Sequence, residues 1–119
     1  RSHALLGAWH IGILRKTGEK NGEKWFGATV AQGRAAYDKA LALRPDDIII
    51  NSNYALSLAE LDFERYGESS RGTLETVTAA SPRDAVEAQV QSRMKDMLNI
   101  WEDESERSRR IESFLDGDG

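Results

Sequence analysis

The sequence predicts an all-α fold of antiparallel helical hairpins, from three observations. Apolar residues recur at steps of three and four through most of its 119 residues. The two prolines sit in one frame: Tyr37, Ala40, Pro45 and Asp47 are matched 37 residues later by Leu74, Val77, Pro82 and Asp84. Ile48-Ile49-Ile50 has strand character, yet no neighbouring segment offers a partner strand. An internal repeat of this size points to stacked helical hairpins, which present surfaces and seldom carry chemistry. About five to six helices are expected, in a short right-handed solenoid or a compact bundle.

The elements follow in order. Residues 3–16 read as a helix with Leu6, Trp9, His10, Ile13 and Leu14 on one stripe. Residues 17–24 hold two Gly, an Asn and no aliphatic side chain, so they form a loop that Trp25 and Phe26 fold back onto the core. Thr29 and Gln32 suggest a capping box for a helix over 30–43, with Val30, Ala36, Tyr37, Ala40, Leu41 and Leu43 buried. Pro45 ends that helix and Asp47 caps the next, over 48–61, with Ile50, Tyr54, Ala55, Leu58 and Leu61 inward. Residues 62–68 read as a turn from which Phe63 and Tyr66 pack inward. Ser69 or Ser70 then caps a helix that ends near Ala80, anchored by Leu74 and Val77. Asp84 with Glu87 starts a fifth helix carrying Val86, Val90, Met94, Met97, Leu98 and Trp101. Ile111, Phe114 and Leu115 form a terminal helix or extend the fifth.

The domain organisation expected is one unit over 1–115. Hairpin 1 covers about 3–44 with the inserted loop 17–29, hairpin 2 about 47–81, and the capping helix or helices about 84–115. Residues 116–119 form a frayed tail.

Composition narrows the function classes. Hydrophobic residues at 39% and charged residues at 30% describe a globular chain rather than a disordered one. No apolar run approaches the roughly 18 residues of a membrane helix, so membrane insertion is not expected. Zero Cys removes disulfides, thiolate catalysis and cysteine-ligated zinc. The net charge of -4 divides unevenly. Residues 1–45 hold eight Lys or Arg against three Asp or Glu, and the remainder eight against seventeen. Dispersed basic residues in an acidic total argue against nucleic-acid binding. Arg1 in place of Met suggests a trimmed or processed chain, which leaves cytoplasm and bacterial periplasm both open.

The residues resemble the tetratricopeptide repeat, a 34-residue helical hairpin. Gly33, Tyr37, Ala40 and Pro45 fall at the spacing of its second-helix pattern. Leu6, Gly7 and His10, then Tyr54, Ala55 and Leu58, fall at the spacing of its first-helix pattern, and Leu74, Val77 and Pro82 repeat the second half. The resemblance covers about residues 5–101. Two departures stand out: roughly 14 extra residues in hairpin 1, and about three more in hairpin 2, expected in a turn at residues 67–71. The resemblance implies a concave face lined by Ile49, Ser52, Leu56 and Ala59, then Val86, Gln89, Arg93 and Asp96. Of the family's peptide-tail clamp chemistry only Arg93 is present. Ser52, Leu56, Gln89 and Arg93 are therefore the candidate contacts for a protein or peptide partner.

Other constellations carry less. His3 and His10 lie seven apart with no acid in residues 1–18 to complete a metal shell, so no metal is expected. Asp46–Asp47 and the acids at 102–106 sit at helix ends, where capping and solvation explain them better than acid–base chemistry. No catalytic set and no cofactor motif is evident. The expectation is a non-catalytic interaction or scaffold module. Two alternatives remain: a small-ligand or enzyme-accessory role in which loop 17–29 closes over Trp9, Trp25 and Phe26, and a homo-oligomer assembly domain.

Overall fold

A computed structural model describes residues 30–116. These form five α-helices and no strand: α1 (Val30–Leu43), α2 (Ile48–Leu61), α3 (Phe63–Ala79), α4 (Ala85–Asn99) and α5 (Glu104–Leu115). The expected helix over 3–16, the loop 17–29, the Thr29 cap and most of the tail lie outside the described residues.

Aspartate starts four consecutive helices. Asp47 Oδ1 accepts the Ile50 N–H at 2.9 Å, and Asp84 Oδ1 accepts the Glu87 N–H at 2.8 Å. Asp62 and Asp103 repeat the geometry on Arg65 and Glu106 at 3.2 and 3.1 Å. In each case the carboxylate satisfies a first-turn amide that has no partner inside its own helix. The proline frame persists in three dimensions: Tyr37, Leu74, Ala40 and Val77 are all buried, and Asp47 and Asp84 are both N-caps.

The turn expected at 62–68 is helix instead. α2 and α3 are separated by Asp62 alone, whose N–H bonds to Leu58 O while its side chain caps α3. Gly67, within both expected turns, is buried inside α3, and residues 67–71 form no turn. α3 runs 17 residues against 14 for α1 and α2, so the longer interval is accommodated as helix. Ser69 and Ser70 are interior, not caps: Ser69 Oγ donates to Tyr66 O, and Ser70 is buried. At the other end, residues 100–103 break the chain before α5, so Ile111 belongs to a separate terminal helix.

α2 is the centre of the described structure and packs against α1, α3, α4 and α5. Its buried residues (Ile48, Ile50, Ser52, Ala55, Leu56, Ser57, Leu58, Ala59) lie all round it, as contact on every side requires. The main core joins Ile48, Leu56 and Ala59 of α2 to Leu74, Val77, Met94, Met97, Trp101 and Ile111. A second core sets Tyr37 and Ala40 against Ile50, Leu58 and Tyr66. There Tyr37 stacks on Tyr54 with ring centroids 4.4 Å apart. Two expected core positions are exposed: Leu43 at 76% and Val86 at 58%. Both sit at helix ends beside a turn, where the periodic stripe continues but no neighbouring helix covers it.

Candidate functional site

A cleft of about 760 Å³ opens where α1 and α3 end and α2 begins. Ile48 and Val77, both nearly inaccessible, form its floor. The exposed Leu43, Pro45 and Asp46 come from the α1–α2 turn, and Ser81 and Arg83 from the α3–α4 turn. Thr73 and Thr76 of α3 and Asn51 of α2 also line it. The two walls are thus the two proline turns that share a frame in the sequence.

Local chemistry fixes each wall. Asn51 Nδ2 donates to Pro45 O and Asp47 O at 3.1 and 2.9 Å, tying the first turn to α2. In the second, Glu87 Oε1 accepts the Arg83 N–H at 2.7 Å, completing a reciprocal cap with Asp84. Gln91 Nε2 donates to Val77 O and Ala80 O, so its amide ties α4 to the carbonyls at the end of α3. Each wall carries one half-exposed arginine leaning on a buried acid: Arg44 Nε lies 3.7 Å from Asp47 Oδ2, and Arg83 Nε 3.7 Å from Glu87 Oε1. Thr73 Oγ1 and Thr76 Oγ1 donate to Ser69 O and Gly72 O of their own helix. Their oxygens remain able to accept. The cleft therefore offers an apolar floor, hydroxyl and amide groups at mid-height, and guanidinium groups at the rim.

The positions inferred from the sequence fall elsewhere. Ser52 and Leu56 have no accessible surface, so α2 offers neither to a partner in this state. α5 lies against α2, and Ser108 Oγ donates to Glu60 Oε2 at 2.7 Å. An open stack of hairpins would leave that face of α2 bare. Gln89 is exposed on α4. Arg93 is half-buried, its guanidinium 4.7 Å above the Phe114 ring. It borders a depression of about 200 Å³ between α4 and α5, shared with Arg109 and Arg110. Hydrogen bonds from Arg109 and then Arg110 hold the Glu106 carboxyl down at about 2. Trp9, Trp25 and Phe26 lie outside the described residues.

In the first half of α1, Arg34 Nε donates to the Tyr54 hydroxyl at 3.0 Å, and its guanidinium stands 5.6 Å from the Tyr66 ring. Burial pushes the Tyr54 hydroxyl up, with Arg34 opposing it. This cluster joins α1, α2 and α3 and is a structural tie. Among the described residues no group of three His, Asp or Glu side chains is placed to hold a metal ion, and no helix is long and apolar enough to cross a membrane.

Arg44, Thr73, Thr76 and Arg83 were not singled out from the sequence. The signal available was the shared proline frame, which marks two equivalent corners without showing that they face one cleft. No protein-family model, curated protein or solved structure matches this chain.

Proposed function

We propose that this protein is a non-catalytic interaction module that holds a segment of a partner protein in the cleft between its two proline turns. The cleft carries this reading. At about 760 Å³ it has room for several side chains, and its rim is exposed on both walls. Asn51, Thr73 and Thr76 supply hydrogen-bonding groups beside an apolar floor, the combination an extended main chain uses. Right-handed stacking of tetratricopeptide-like hairpins belongs to the same proposal. The two equivalent turns support it, although the working surface then moves to the edge, since the α2 positions Ser52 and Leu56 of the implied concave face are sealed. Selection from a random peptide library on immobilised protein tests the module. A convergent motif with saturable, unconverted binding is expected. Failure to enrich any motif, or turnover of the bound peptide, refutes it.

A further inference from the structure

We propose that the cleft selects a basic, extended peptide segment and seats one of its lysine side chains, the stem on Ile48 and Val77 and the ammonium group at Asp46; this deepens the interaction-module reading above and rests on it. The charge balance of the two walls points this way. At the proline turns and the helix starts that follow them, Asp46, Asp47, Asp84 and Glu87 stand against Arg44 and Arg83. Both arginines are already committed, Arg44 to Asp47 and Arg83 to Glu87. Asp46 is exposed, and among the described residues it is the charged group of the cleft lining that makes no ion pair. The helix ends add no positive excess. The N-terminal ends of α2 and α4 carry about half a positive charge each, and the C-terminal ends of α1 and α3 carry the opposite.

The uncharged groups of the lining favour a donor too. Asn51 spends its Nδ2 on Pro45 O and Asp47 O, which leaves its Oδ1 to accept. Thr73 and Thr76 spend their hydroxyl protons inside α3. Pro45 has no N–H, so it cannot supply the amide that the Leu41 carbonyl would take one turn on. An ammonium group has donors and no acceptor, which suits a wall of oxygens beside a free carboxylate. The stem of a lysine is apolar and lies along apolar surface while its charged head stays in water. Here that surface is the floor of Ile48 and Val77, with the exposed Leu43 beside it for a neighbouring apolar side chain. Exposed rims on both walls favour a chain passing through over an enclosed small amine.

Asp46 supplies the test. It lies in the turn between α1 and α2, the cap of α2 is Asp47, and Asn suits the same turn position. The chain's net charge of -4 draws any cation, so the decisive comparison is between variants of equal charge. Glu104, exposed on α5, is the control, because α5 meets α2 at Glu60, the end away from Ile48. Binding of a rhodamine-labelled octapeptide of alternating Lys and Leu is read by fluorescence anisotropy, beside its Gln–Leu and Glu–Leu counterparts. Saturable binding of the Lys–Leu peptide is expected, weaker for Gln–Leu and weakest for Glu–Leu. Asp46→Asn should weaken the Lys–Leu peptide about fivefold, and Glu104→Gln less than about twofold. Thr76, exposed in the cleft wall, is read in both directions. Thr76→Glu should tighten the Lys–Leu peptide about threefold and Thr76→Lys weaken it about threefold, both effects shrinking as salt is raised. Absence of saturable Lys–Leu binding at millimolar peptide overturns the proposal. Equal weakening by Asp46→Asn and Glu104→Gln, with both variants helical by circular dichroism, does the same. So does full competition by Nα-acetyl-lysine methylamide at equal concentration, which would make the ligand a small amine. A convergent library motif without Lys or Arg, or one indifferent to Asp46→Asn, sinks this inference and leaves the module standing.

Discussion

Gly67 and Gly72 stand five residues apart on α3 and face opposite situations. A Cβ on Gly67 would lie 2.8 Å from Cε1 of the Phe63 ring. That ring cannot swing away freely, because the Arg107 guanidinium sits 3.5 Å from its centre and Trp101 packs at 5.5 Å. Around Gly72 nothing lies within 4 Å of the same built atom. Alanine gains about 1 kcal/mol over glycine inside a helix. Gly72→Ala should therefore stabilise by about 0.5–1 kcal/mol. Gly67→Ala should forfeit that gain to the clash and destabilise by about 1–2 kcal/mol. Thermal melts of the two variants are expected to shift in opposite directions. A sequence shows glycine and suggests a turn; only the position of the Phe63 ring reveals that glycine is needed inside a helix. The aspartate caps are the reverse case. Asp103 with Glu106 is a capping-box pattern visible in the sequence among the acids at 102–106, and the structure makes Asp103 the cap of α5.

α5 shows what tertiary contact does to a charged element. Its sequence is dominated by Glu, Ser and Arg, yet Ile111 is fully buried and Arg107 nearly so. Arg107 Nη1 donates to Trp101 O at 2.6 Å, which fastens the start of α5 to the end of α4. Its guanidinium covers Phe63, so the end of α4, the first turn of α3 and α5 meet at one cation. Glu106 accepts from both Arg109 and Arg110 on the same helix. The Glu106 carboxyl is expected to titrate near 2 in a carbon-detected NMR experiment, far below its ordinary 4.5. The sign follows from linkage: a depressed folded value adds stability above pH 4.5 that is lost as pH falls toward 2. The group is on the surface, so the effect on the melting curve should be small and should shrink further with salt. A midpoint near 4.5 would show that the arginines do not hold this carboxylate in solution.

For the described structure taken together, α2 decides the architecture because it meets every other helix. Amide hydrogen exchange should be slowest in α2, near Leu56 and Leu58, and fastest at the exposed end of α1 around Leu43. If α2 exchanged as fast as α1, it would not be the most stable part. Much of this was legible locally. The bounds of α1 and α2, the start of α4 and the burial of Leu74 and Val77 follow from apolar period, proline stops and aspartate caps, all short-range effects. The cleft was half legible: the sequence marked both of its corners as equivalent turns. What it left open was burial by partners far along the chain. Leu43 and Val86 carry the right spacing for a core and stay exposed, while Ser52 and Leu56, at positions an open repeat would offer to a partner, are sealed. Helix period fixes which side chains share a face. Only the packing of α5 onto α2, and of α3 beside the first proline turn, fixes which faces water can reach, because accessibility depends on neighbours that no local pattern names.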